Sequence, residues 1–356
     1  MRVIIRTDSS SQMGSGHLIR CLTLADELSE ERKASIIFVC RDLPGNLSSL
    51  VEDKGYQLIS LPYDENQKKS LAEASEHKQW LGASVDIDRD QTVEVIKSLG
   101  KVDLLVVDNY ALDEVWETPM RQYVKKIMVL DDLADRKHDC DILLDHNYIN
   151  GMLARYDELV PEYCKKLIGP NFALLARDLD NVLKYRQENK NHSSLKRVLI
   201  YLGAADVQNI TLAILNNIDL NAPEFIYDVV VGASNIDKET VKQQCDKFTL
   251  FKYHEAPSNY FELLKKADLC IGAGGVSLLE RLYIGLPTVT FLGATNQVDI
   301  VNSSKAFDEV SFCYDATGIM SSLRELLNKR INALITRKNF PIHRFSASAL
   351  TEIIYA

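Results

Sequence analysis

Short apolar runs alternate with longer amphipathic segments along this chain, and no other feature constrains its fold as tightly. Strand-like runs fall at residues 3–5, 35–39, 58–61, 104–107, 127–130 and 142–144, and again at 198–202, 228–231, 249–251, 269–271 and 288–291. Between them lie stretches such as 18–28 and 260–266, with the spacing of a helix that buries one face. Strand and helix in alternation predict βαβ units and parallel sheets. A polar stretch at 184–194, without apolar periodicity, parts the two sets of runs. The expectation is an α/β protein of two Rossmann-like domains, 1–185 and 195–356, joined by a linker at 186–194 and facing a cleft. In such sheets a ligand sits at the carboxyl ends of the strands.

The 356 residues suffice for two domains of about 150 each, and a hydrophobic fraction of 46% can fill two cores. The formal net charge is −9 with no basic stripe, which argues against nucleic acid as a partner. A small anion stays possible, because helix N-termini bind phosphate on acidic proteins too. No apolar run approaches the ~20 residues that a bilayer requires, so no membrane partner is expected. Arg6-Thr7-Asp8 interrupts the opening run too early for a secretory signal. The seven cysteines are scattered, without a C-x-x-C pair, and Cys40 and Cys270 lie inside apolar runs. Core thiols in a reducing cytoplasm fit that pattern, with neither a disulfide framework nor a structural metal.

Two glycine-rich loops follow strand-like runs. The first, residues 6–17, ends in Gly14-Ser15-Gly16-His17 and leads into the helical spacing of Leu18, Cys21, Leu22, Ala25 and Leu28. Glycines here let backbone approach a ligand, and the free N–H groups of a helix start attract anions. The third glycine of a dinucleotide fingerprint is absent. His17 reads in two ways: as a residue packing the first turn, or as a general base. The positive end of a helix dipole disfavours imidazolium, which suits a neutral ring that accepts a proton from water. Asp8 could orient that ring or equally close a turn with the neighbouring serines.

The second loop, Gly272-Ala273-Gly274-Gly275, enters a helix that ends near Gly285 with Pro287 beyond. Ser277 and Glu280 have the S-x-x-E spacing of a capping box, which accounts for both without a ligand. The other reading places a phosphate on the amides near Gly274, Gly275 and Ser277, and a ribose diol on Glu280, since a carboxylate accepts two hydroxyl hydrogen bonds. Asn296 and Gln297 follow the next strand and could read polar groups of the same ligand. The D-x-D string Asp86-Ile87-Asp88 lies in a polar stretch, 64–90, read as a long irregular excursion near the cleft. It does not end an apolar strand, so no metal is expected there, nor at the adjacent Asp131 and Asp132.

These residues together resemble a known family. R-T-D-S-S-x-x-M-G-x-G-H-x-x-R near the start and G-A-G-G-x-S-x-x-E-R-x-x-x-G-L-P-T later are similar to the PseG nucleotide-sugar hydrolases. The similarity extends to Val107-Asp108-Asn109-Tyr110, Asp131-Asp132, Cys140–Asp145 with Asn147, and Gly169–Leu175. The wider resemblance is to two-Rossmann (GT-B) glycosyltransferases, above all the enzyme that adds N-acetylglucosamine to lipid I. It implies hydrolysis of UDP-2,4-diacetamido-2,4,6-trideoxy-β-L-altropyranose to UDP and the free sugar, with inversion and without metal or other cofactor. On matching positions His17 would activate water, Gly14 and Gly16 would approach the diphosphate, and Tyr110 would line the sugar pocket. Ser277, Glu280 and Asn296 would hold UDP. Two positions depart from the pattern: Gly203-Ala204-Ala205-Asp206 where the family has Gly-Gly-x-Asp, and Arg177 one place late after the A-L-L run. The rival readings are a glycosyltransferase on the same scaffold and a UDP-binding subunit without chemistry of its own. A small-molecule UDP-sugar is the partner in all three, and nothing in the chain sets an oligomeric state.

Overall fold

The computed structural model describes residues 1–66, 75–189, 197–219, 225–291, 303, 310–313, 315–332 and 342–350. Seven strands form one parallel sheet: β1 (Arg2–Thr7), β2 (Ser35–Arg41), β3 (Gln57–Leu61), β4 (Val102–Asp108), β5 (Val124–Leu130), β6 (Ile142–Asp145) and β7 (Lys165–Ile168). Their order is β3-β2-β1-β4-β5-β6-β7. Side chains alternate across the sheet, and both faces are covered. Val3 and Ile5 join Leu104 and Val106 in one core, while Ile4 joins Leu105 and Val107 in the other. Burial on both faces explains why these strands read as continuous apolar runs.

A second parallel sheet holds β8 (Arg197–Tyr201), β9 (Ile226–Val231), β10 (Phe251–Glu255), β11 (Leu269–Ala273), β12 (Thr288–Phe291) and β13 (Val310–Cys313). Its order is β10-β9-β8-β11-β12-β13. In each sheet the first and fourth strands are neighbours, and the connections run outward from them in opposite directions. That reversal is the switch point where open α/β sheets bind ligands.

The chain divides into two compact units at places other than the expected 185 and 195. One holds Met1–Asn147, Gly151–Leu174 and the described part of 344–356; the other holds Tyr148–Asn150 and the described part of 175–343. The helix Asp178–Glu188 belongs to the second unit because Arg186 donates to the carbonyls of Ala267 (2.6 Å) and Ile284 (3.2 Å). The C-terminal segment returns to the first. There Phe345, Ala347 and Leu350 enter the core, Phe345 N–H donates to Ala173 O at 2.7 Å, and Arg344 pairs with Glu27. Part of the expected linker, 190–194, lies outside the described residues.

Three further expectations change. The strand placed at 249–251 begins at Phe251 and runs on to Glu255. β7 and β13 add two strands to the strand-like runs read from the sequence. The described part of 64–90 is largely helical, with Glu76–Trp80 and the start of Val85–Leu99; 67–74 lie outside the described residues. Among the described residues no helix is long and apolar enough to cross a membrane.

Candidate active site

At the first switch point β1 and β4 end side by side, with Thr7 in register with Asp108. The helix Gly16–Arg32 starts just beyond, and His17, Arg20 and Cys21 share the face that it turns to β4. All three reach Asp108, which is fully buried. His17 Nδ1 lies 2.5 Å from Asp108 Oδ1. Arg20 forks onto the same carboxylate, Nε to Oδ2 and Nη2 to Oδ1, each at 2.6 Å. The Cys21 thiol donates to Oδ2 at 3.3 Å, and Arg20 Nη1 pairs with Asp132 at 2.9 Å.

Burial alone would raise the Asp108 pKa, but Arg20 and His17 hold it well below the usual carboxylate range. An ionised carboxylate only accepts. We therefore place the imidazole proton on Nδ1, facing Asp108, which leaves the lone pair on Nε2. Arg20 Nη2 passes 3.2 Å from Nδ1, but it is already engaged by Asp108. The Tyr110 ring stands edge-on to His17, centroids 4.3 Å apart at 80°, and its hydroxyl bonds Asp132. A buried, oriented imidazole whose Nε2 has no partner among the described residues can take a proton from water or a hydroxyl group.

Asp8 has neither of its expected roles. It accepts from Arg6 Nη1 (2.6 Å), Arg41 N–H (2.6 Å) and Asn109 Nδ2 (2.8 Å). Asp108, across the sheet on β4, orients His17 instead. Asp88 is no member of a loop D-x-D pair: it sits buried in the first turn of the helix Val85–Leu99, gripped by Arg6 (2.5 Å) and Arg41 (2.7 Å). Asp86 is exposed and pairs with Arg89. Asp131 and Asp132 bind different arginines, Arg136 and Arg20. Gly14 adopts φ +74°, and a Cβ there or at Gly16 would meet nothing within 4 Å. Backbone angle, not crowding, calls for glycine at 14. Ser15 caps the helix without a side-chain hydrogen bond, so the first-turn amides receive no side-chain acceptor from it.

At the second switch point β8 and β11 are neighbours, with Tyr201 in register with Gly272. Gly275 is the N-cap of the helix Val276–Tyr283 and supplies no side-chain hydrogen bond. The capping box is not formed: Ser277 lies inside the helix, and its hydroxyl accepts from Arg281 Nη1 at 3.1 Å. Arg281 is buried and donates to Ala273 O at 2.6 Å. Its guanidinium occupies the space beside Gly272, where an added Cβ would come within 2.5 Å of Nη1. Glu280 is half-buried, and burial pushes its carboxyl up to about 7 against the pull of Arg281. It lies close enough to Tyr201 and Tyr260, themselves 5.3 Å apart ring to ring, to raise the pKa of both. Ala204 takes part in tight backbone packing: a Cβ on Gly232 would fall 2.3 Å from its Cα. Arg177 is the half-buried N-cap of the helix Asp178–Glu188 and belongs to the second unit. Asn296 and Gln297 lie outside the described residues.

No protein-family model matches the chain. An uncharacterized protein of Methanocaldococcus jannaschii is 24% identical over 295 residues, 81% of this chain and 55% of that protein. The chain thus spans about half the length of that relative. The UDP-2,4-diacetamido-2,4,6-trideoxy-beta-L-altropyranose hydrolase of Campylobacter jejuni is 28% identical over 288 residues, 80% of this chain and 89% of the hydrolase. This chain is a homologue of that hydrolase. Among solved structures, Acinetobacter baumannii MurG matches with a TM-score of 0.59 at 11% identity, covering 99% of both chains. The UDP-GlcNAc 2-epimerase of Neisseria meningitidis, bound to UDP-GlcNAc, matches with 0.59 at 11%, covering 100% of both. At such identities the likeness is one of fold: two parallel-sheet α/β domains of the GT-B kind.

Proposed function

We propose that this chain hydrolyses UDP-2,4-diacetamido-2,4,6-trideoxy-β-L-altropyranose to UDP and the free diacetamido sugar. The reading rests on similarity to the altropyranose hydrolase, and one observation carries the chemistry: His17 held at Nδ1 by Asp108, 2.5 Å away, at a switch point. Nε2 takes a proton from water as its oxygen attacks the anomeric carbon. The bond from that carbon to the phosphate oxygen breaks, and UDP leaves with the electron pair from the opposite face, inverting the centre. Gly14 and Gly16 admit the diphosphate to the first helix start, Tyr110 lines the sugar pocket, and Arg177 is a further substrate-binding residue. Gly274, Gly275, Ser277, Glu280 and Asn296 hold UDP. Arg6 and Arg20 are left out of leaving-group stabilisation, because carboxylates engage both. Incubating the protein with the UDP-sugar alone, followed by proton NMR, should show UDP and an inverted free sugar. The fold of MurG favours a glycosyltransferase as the second reading. A transferase would leave the UDP-sugar intact until an acceptor is added.

Glu280→Gln should weaken UDP binding about 10- to 100-fold at pH 8, since hydrogen bonds to charged acceptors contribute ~1.5–3 kcal/mol. Stability should hardly move, because no capping box is lost. As pH falls through about 7 the wild-type carboxyl takes up a proton, so the gap between wild type and variant should shrink. Titration calorimetry at pH 6 and 8 checks both points, and equal affinities at pH 8 would remove Glu280 from the site. Full activity is expected in excess EDTA, with no stimulation by Mg²⁺ or Mn²⁺. The acidic residues closest to a metal-binding pattern, Asp88, Asp131 and Asp132, are each neutralised by arginine. Loss of turnover with chelator, restored by either ion, would overturn that expectation.

A further inference from the structure

Trp80 belongs to two structures at once. Its ring packs near Tyr110, centroids 6.2 Å apart, and His77 completes a triangle of rings at 4.9 Å from Trp80 and 5.1 Å from Tyr110. Tyr110 in turn stands against His17. The centroid steps of 4.3 and 6.2 Å put the Trp80 ring no farther than about 10.5 Å from that of His17. Trp80 also lines a small pocket with Ser10, Ser11, Gln12, Leu43 and Pro44. Ser10 to Gln12 come from the glycine-rich loop that leads to His17. The pocket thus opens on the loop that carries the imidazole, and its aromatic wall continues to that imidazole.

Its chemistry is two-sided. Leu43, Pro44 and the indole offer apolar surface, while the Ser10 hydroxyl, accepting from the Gln12 and Met13 N–H groups (3.3 and 3.1 Å), has a proton to donate, and the Ser11 hydroxyl, donating to Pro44 O at 3.3 Å, has lone pairs to accept. A methyl group attached to an amide needs that combination: apolar surface for the methyl, hydrogen-bonding groups for the amide, and a flat ring beside the sugar face. A hydroxyl substituent would leave the apolar wall unfilled. We propose that Trp80 and the pocket it lines form the subsite for an N-acyl substituent of the hexose, and so discriminate acylamino sugars from their hydroxyl counterparts. The inference rests on the UDP-sugar reading above and adds to it a specificity determinant in the stretch 75–82.

The chain has two tryptophans, Trp80 and Trp116, and Trp116 is fully buried with its Nε1–H donated to Asp88. Trp80 therefore reports on its pocket through fluorescence. The probes are UDP, UDP-glucose and UDP-N-acetylglucosamine, each titrated into wild type, Trp80→Ala and Trp80→Phe, with calorimetry in parallel. UDP-N-acetylglucosamine should change wild-type emission, and UDP and UDP-glucose should not. Trp80→Ala should abolish that change and weaken UDP-N-acetylglucosamine binding about tenfold, with UDP affinity unaltered; Trp80→Phe should recover most of the affinity. An equal effect of Trp80→Ala on all three probes would overturn the proposal, as would calorimetric binding of UDP-N-acetylglucosamine without any fluorescence change. Failure of all three probes to bind would overturn the UDP-sugar reading itself, and the subsite with it.

Discussion

Replacing His17 by asparagine should lower kcat by about 10²–10⁴-fold and leave KM nearly unchanged. Asparagine can still donate a side-chain N–H toward Asp108, so the buried carboxylate keeps a partner and the Arg20 fork stays in place. What disappears is the second nitrogen, Nε2, which has no counterpart in an amide of that length. The loss then falls on proton transfer in the transition state, an interaction that ground-state binding does not use. Equal losses in kcat and kcat/KM would be its signature. Steady-state kinetics with the UDP-sugar, beside UDP binding by calorimetry, check this. Turnover within a few-fold of wild type would leave His17 as a packing residue of the first helical turn.

Much of this site could be read from local spacing, and the rest depends on contacts that local spacing does not carry. His17 follows a glycine-rich loop at a helix start, and that placement alone marks it. Its partner does not announce itself in the same way. Asp108 ends one apolar strand among several, and only the assembled sheet places it against residues 17, 20 and 21. Asp8, nearer in sequence, is the partner that proximity suggests; the Arg6 guanidinium, the Arg41 backbone N–H on β2 and the Asn109 amide claim it instead. The helix Val85–Leu99 was hidden by its charges. Asp88, Thr92, Val93 and Ile96 are buried at helical spacing, yet two of the four are polar, so an apolar count misses the face. Asp88 is buried because Arg6 and Arg41, from two separate strands, converge on it. Strands β7, Lys-Lys-Leu-Ile, and β13, Val-Ser-Phe-Cys, are outer strands of four residues: β7 has only two apolar residues, and Ser311 breaks the apolar run of β13. The S-x-x-E spacing pointed to a capping box, but the helix begins only after Gly275, so Ser277 is already inside it. The two clusters at the switch points follow from the alternation of strand and helix, which sets the strand order and hence where loops converge.

Asp108→Asn should lower kcat by roughly 10³–10⁴-fold, the upper end being the loss when an orienting aspartate is amidated in a serine-protease triad. The wild-type carboxylate presents acceptors on both oxygens, one shared by His17 Nδ1 and Arg20 Nη2, the other taken by Arg20 Nε. An amide has one acceptor. If its NH2 group faces His17, Nδ1 must accept, the ring proton moves to Nε2, and water meets a donor where it needs a base. If the NH2 group faces Arg20, two buried donors oppose each other. Removing one partner of a buried charge pair costs ~3–5 kcal/mol, so urea unfolding should report a loss of that size beside the kinetic one. The acid dependence separates this from general damage. The folded pKa of Asp108 is depressed, so its contribution is complete above the unfolded value of about 3.9 and fades as pH falls below it, where the unfolded state binds more protons. Wild type should therefore lose stability below pH ~4 more steeply than the variant, and the gap between them should narrow. His17→Asn and Asp108→Asn combined should cost little more in kcat than either alone, because both remove the same lone pair. Additive losses would show that the two residues act separately, and an active, folded Asp108→Asn enzyme would reduce the carboxylate to a scaffold for Arg20.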